Sequence, residues 1–84
     1  MNLRKLLHHI LSNPTNVRFD EMVHLVEAFG FHLTRVKGSH HVFVRSGVLE
    51  LVNLQNVKGQ AKPYQVRQFL KLVEQYDLKL KDIR

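Results

Sequence analysis

The sequence contains no cysteine. That excludes a disulfide framework and any thiolate-ligated zinc. It also suits a reducing compartment, so a cytoplasmic location is expected. No apolar run approaches the roughly 18 residues that a membrane span requires, and no membrane association is expected. In the N-terminal stretch MNLRKLLHHILSNP the leucines are interrupted by His8 and His9, and no small-residue cleavage site follows. A secretory signal is therefore not expected either. Metal motifs are missing as well: the chain has neither HExxH nor a histidine pair at ligand spacing. Neighbours such as His8 and His9 point about 100° apart on a helix. Neither a metal nor another cofactor is expected.

Acidic residues are scarce in one region only. Between residues 31 and 73 the bases are Arg35, Lys37, Arg45, Lys58, Lys62, Arg67 and Lys71, and the acid is Glu50. Seven minus one gives +6, the net charge of the whole 84-residue chain. Outside that window Arg4, Lys5, Arg18, Lys79, Lys81 and Arg84 balance Asp20, Glu21, Glu27, Glu74, Asp77 and Asp82. A localised basic excess is the footprint of a polyanion partner, with nucleic acid foremost. The length fits one domain spanning 1–84, with a modest core.

The hydrophobic pattern divides the chain into short elements. Leu3, Leu6, Leu7, Ile10 and Leu11 predict a helix over 2–12, ended by Asn13-Pro14. Phe19, Met22, Val23, Val26 and Phe29 predict a second over 19–29, with Asp20 and Glu21 in its first turn and Gly30 closing it. His24 lies off that stripe and is expected to be exposed or half-buried. The period then changes to two. FHLTRV (31–36), HHVFVR (40–45) and VLELVNL (48–54) predict an antiparallel three-strand meander turning at KGS and SG. QNVKGQAK (55–62) reads as a polar loop. Pro63 opens a third helix whose stripe runs through Val66, Phe69, Leu70, Val73 and Tyr76. LKLKDIR at the end fits either a frayed tail or a short strand. The fold class is α+β: a two-layer α/β sandwich, α-α-β-β-β-α, with one sheet face open.

Of the six histidines, His32, His40 and His41 fall on the first two predicted strands. Adjacent strand residues face opposite sides of a sheet, so His40 and His41 cannot share a role. Parity puts His40 with Val42 and Val44, and that side is a candidate for the core, although a bulge or twist directly after the turn can re-aim the His40 side chain. Histidine titrates nearest neutrality and suits proton transfer. RNA carries its own nucleophile, the 2′-OH, so a base and nearby cations suffice to cleave it. Gly38 permits close backbone approach to a phosphate, and Lys37 supplies charge.

GFHLTRVKGSHHVFVR, followed by a third strand and then VKGQAKPYQVRQFLKLVEQY, resembles the HicA (YcfA-like) toxins. The resemblance covers about 18–76 and leaves the helix at 2–12 as an addition. Its order of Gly-Phe, Gly-Ser-His and Lys-Pro-x-x-Val-x-x-x-Leu is specific when taken together. The resemblance implies a fold like the double-stranded RNA-binding domain. It also implies a type II toxin–antitoxin toxin acting as a metal-independent mRNA interferase. His40, in the Gly-Ser-His turn, would be the catalytic residue, with Gly38 setting its geometry. Lys37, Gly38, Ser39, His41, Lys58, Lys62 and Arg67 are the accompanying RNA-binding candidates. Lys62 and Arg67 lie at or near a helix N-terminus, which favours anions. The implied partners are mRNA and a HicB-like antitoxin covering the active face. QNVKGQAK departs from many members in having less proline and histidine.

Two other readings compete. A non-catalytic module of the double-stranded RNA-binding type would use the same charge and show salt-sensitive binding without turnover. A protein-interaction element would present its basic face to an acidic partner, a role an antitoxin would also fill.

Overall fold

Asn2 starts the first helix by accepting the Lys5 N–H on its side-chain oxygen at 2.9 Å, which satisfies one of the free donors of a helix start. The structure, a computed structural model, describes residues 2–80. Its elements are α1 (Leu3–Ser12), α2 (Phe19–Ala28), β1 (His32–Lys37), β2 (His40–Val44), β3 (Val52–Val57), β4 (Gln60–Ala61) and α3 (Pro63–Gln75). The strands lie in chain order in one antiparallel sheet. The α+β class and the α-α-β-β-β-α order read from the sequence are therefore observed, with a short fourth strand added.

That fourth strand corrects the reading of 55–62 as a loop. β3 continues through Val57, and Lys58 and Gly59 both take positive φ, 54° and 83°. This is the backbone of a two-residue primed turn. The Asn56 side chain steadies it by accepting the Gly59 N–H at 2.7 Å. The third strand also starts later than the 48–54 reading. Phe43 pairs with Val52, so residues 45–51 form a connection beyond the last paired position. Leu49 and Leu51 supplied an alternating pattern, but no strand lies opposite them, and Leu49 is 93% exposed.

Helix α2 buries more than its predicted stripe. Leu25 and Ala28 are buried together with Met22, Val26 and Phe29, because α2 contacts the sheet on one side and α1 on another. α1 contributes Leu6 and Ile10 to the same core, while Leu11 stays exposed. Gly30 follows α2 at φ 93° and returns its N–H to the Glu27 carbonyl, as a C′ glycine does. His8, His9 and His24 are exposed. Phe69 of α3 meets Phe29 and Phe31 edge-on at 5.7 and 5.5 Å. These rings, with Phe43, Val52 and Leu54, form the layer between helices and sheet. α3 ends at Gln75 rather than Tyr76. Of the terminal stretch, 78–80 is neither helix nor strand, and 81–84 lies outside the described residues. Among the described residues no helix is long and apolar enough to cross a membrane.

Candidate functional site

The sheet has a covered face and an open face, and β2 shows which residues belong to each. Phe43 is 1% exposed and opposite Val52, and His41 is opposite Leu54. His41 and Phe43 therefore point toward the helices, while His40, Val42 and Val44 point away. The placement of His40 and His41 on opposite faces follows the pleat. The suggestion that the Val42 and Val44 side faced the core is corrected. One phenylalanine ring hides more apolar area than a valine, and it decides which way the strand sits.

His40 is exposed, directly after the turn at Gly38 and Ser39. Gly38 takes φ 59°, a conformation that disfavours residues with a Cβ. Across the strands His40 stands opposite Lys37 on one side and Gln55 on the other.

A closed circuit of contacts fixes this end of the molecule. The His41 ring lies 4.8 Å from the Phe19 ring at the start of α2. Its Nδ1 is 3.2 Å from the Ser39 carbonyl, which also accepts the Asn56 N–H at 3.0 Å. The Asn56 side chain holds Gly59, and the Gly59 carbonyl accepts the Phe19 N–H at 2.8 Å. The turn bearing His40, the turn bearing Lys58 and the start of α2 are thus tied together. Glu21 completes the α2 start by accepting the Arg18 N–H at 3.1 Å.

The first turn of α3 joins the same region through one buried polar side chain. Gln65 accepts the Gln55 N–H on its Oε1 at 2.7 Å, and Gln55 is the cross-strand partner of His40. Lys62, the N-cap of α3, is half-buried three residues before it. Arg67 is placed differently. It lies on the outer side of α3, in a shallow depression with Leu11, Tyr64 and Lys71, and no described contact links it to the His40 turn.

Among the described residues the ion pairs are Arg18–Asp20 and Lys79–Asp77. Arg35, Lys37, Lys58, Lys62 and Arg67 take part in neither. No group of three or more His, Asp or Glu side chains gathers among the described residues. Neither His41 nor His32 stands beside His40 as a second proton-transfer group. His41 is on the other face, and His32 is opposite Val44, four residues along β2 and roughly 14 Å away at ~3.4 Å per residue. Sequence reasoning did not select Arg35 and Gln55, which share the open face with His40. Their place on that face follows from the strand register.

A family model described as the HicA toxin of bacterial toxin-antitoxin matches residues 19–74, two thirds of the chain. The match takes in α2, the whole sheet and nearly all of α3, and leaves α1 outside. No curated protein and no solved structure matches the chain.

Proposed function

The chain belongs to the HicA toxin family of bacterial toxin–antitoxin systems, and from that premise we propose that it is a metal-independent RNA endonuclease with His40 as its proton-transfer residue. Membership implies a cognate antitoxin. The observation that carries the finer reading is the setting of His40. It is exposed on the open sheet face, directly after a positive-φ glycine turn and opposite Lys37. It lies in the half of the chain that holds the entire net positive charge.

In the proposed reaction the RNA 2′-oxygen attacks the adjacent phosphorus and the bond from phosphorus to the 5′-oxygen breaks. His40 takes the proton from the 2′-OH, and water returns one to the departing 5′-oxygen. The products are a 2′,3′-cyclic phosphate and a 5′-hydroxyl. Lys37 beside His40 offsets charge developing on the phosphoryl oxygens. Lys58, held at the same end by the contact circuit, and Lys62 are assigned to flanking phosphates. Arg67 is given a peripheral part, because of its place on the outer side of α3. His41 is assigned to holding the turn through Ser39 and Phe19. The cognate antitoxin is read as HicB-like and acidic, covering the open face at His40. mRNA in the cytoplasm is the natural substrate under this reading.

The test is cleavage of single-stranded RNA in EDTA by wild type and His40→Ala. Loss of a general base slows the variant by ~10²–10⁴-fold. Equal rates would remove His40 from the mechanism. Abolition of wild-type cleavage by EDTA would end the metal-free reading. Salt-sensitive RNA binding without cutting by either protein would favour the non-catalytic module.

A further inference from the structure

The apolar residues of the first strand do not keep one phase. Phe31 and Leu33 are in step, and Val36 is out of step with both. A regular strand would have to turn Leu33 or Val36 to the open face. The register shows a shift between Leu33 and Arg35 instead: Leu33 pairs with Phe43, Arg35 with Val42, and Val36 with His41. Thr34 is the extra residue of this bulge, and its Oγ1 donates to the Val42 carbonyl at 3.2 Å.

The shift changes what the open face carries. Paired residues share a face, so Leu33 and Val36 both stand on the side of Phe43. His32, opposite Val44, moves to the open face. The open side of β1 then reads Lys37, Arg35, His32, with no apolar side chain among them. β1 is an edge strand and all six of its residues are exposed. Neither Arg35 nor Lys37 takes part in an ion pair among the described residues. Same-face residues in a strand are ~7 Å apart, comparable with the spacing of successive phosphates in an extended polynucleotide. Bulges often sit beside active sites, where they re-aim side chains.

We propose that Lys37, Arg35 and His32 form a track along β1 that binds consecutive phosphates of single-stranded RNA, the scissile phosphate at Lys37 and the flanking ones at Arg35 and His32, with Arg35 as the main anchor of the flanking strand. The inference rests on the RNA-cleavage reading for the position of the cut. A guanidinium grips a phosphate through two parallel N–H bonds where an ammonium acts as a point charge. One line of two cations and a histidine on a strand edge suits one polynucleotide strand, whereas duplex recognition works across the grooves of a fixed shape.

Arg35→Ala, Arg35→Lys and the control Lys71→Ala are compared with wild type on three probes. These are a single-stranded RNA of mixed sequence, its uncleavable 2′-O-methyl counterpart, and a dinucleoside monophosphate that has no flanking phosphate. Arg35→Ala is expected to lower the slope of log affinity against log salt by about 0.7 on the 2′-O-methyl strand, the loss of one phosphate contact. It should raise KM for the long RNA with kcat unchanged and leave dinucleoside cleavage unchanged. Arg35→Lys should restore the salt slope but recover only part of the affinity, and Lys71→Ala should match wild type. An unaltered affinity and salt slope in Arg35→Ala would overturn the track, as would tighter binding of duplex than of single strand. Slower dinucleoside cleavage by Arg35→Ala would also overturn it, by placing the arginine at the cut itself. If wild type cuts no RNA, the reading of His40 falls, and the track is judged on the 2′-O-methyl strand alone.

Discussion

On the covered face of the sheet His41 lies against the Phe19 ring, in line with Phe43 and across from Leu54. On the open face His40, one residue earlier, stands exposed between Lys37 and Gln55. Two identical side chains, adjacent in sequence, are thereby given different physics. Packing and a carbonyl contact restrict the ring on the covered side, and it steadies the turn. The ring on the open side is exposed to solvent, on the strand pair that also carries Lys37. The pleat supplies the separation, since successive residues of a strand project to opposite faces. The same division runs through β1, where the bulge sends Leu33 and Val36 to one side and His32, Arg35 and Lys37 to the other.

Truncating one side chain on each face separates the two roles. Phe43→Ala leaves a cavity in a core with few large side chains and is expected to cost about 3–5 kcal/mol of stability. His40→Ala removes an exposed side chain and is expected to stay within about 0.5 kcal/mol in denaturant unfolding. Under the proposed function its effect is expected on RNA cleavage instead. Stability loss in His40→Ala comparable with that of Phe43→Ala would mean the open face is structural after all.

A smaller change tests the neighbour. His41→Ala gives up the ring contact with Phe19 and the Nδ1 contact with Ser39, and an expected loss of about 1 kcal/mol follows. His41→Phe keeps an aromatic ring there and should recover most of that loss in thermal melting. If His41→Ala instead leaves the melting temperature untouched and removes cleavage as completely as His40→Ala, the roles assigned to the two faces are reversed.

The smallest expected effect lies at the far end of the covered side. The Tyr76 hydroxyl donates to the Glu50 carboxylate at 2.6 Å, tying the end of α3 to the 45–51 connection. That hydrogen bond to Glu50 holds the phenol proton and raises the Tyr76 pKa above its ordinary value near 10. A raised folded-state value contributes stability below the unfolded pKa, and that contribution is lost as pH rises through the folded value. Tyr76→Phe should therefore melt slightly below wild type at neutral pH, and the gap should close above pH 10. A gap that widens in alkali would contradict the assignment.

Much of the helix layer was legible in the sequence. The stripes and the punctuation by Asn13-Pro14, Gly30 and Pro63 locate all three helices to within a residue or two. The sheet was less so. VLELVNL alternates as a strand should, yet only its end pairs, because the position of Phe43 against Val52 sets where pairing begins. NVKGQA lacks the Asn-Gly or Asp-Gly that usually marks a tight hairpin, and Lys58 takes the positive φ at the first turn position. Leu25 lies off the single stripe that the sequence shows, and it is buried because α2 has two packing partners.

The sequence alone determined that the cations cluster in the middle of the chain, that His40 follows a glycine turn, and that His40 and His41 must face apart. These depend on composition and on the two-residue period of a strand, which are local. Only the tertiary structure decided which of the two histidines faces solvent, that Arg35 and His32 join His40 on its face, and that Arg67 does not join the turn residues. Those outcomes depend on which strand face the helices cover and on the pairing register, both of which are set by contacts between residues distant in sequence.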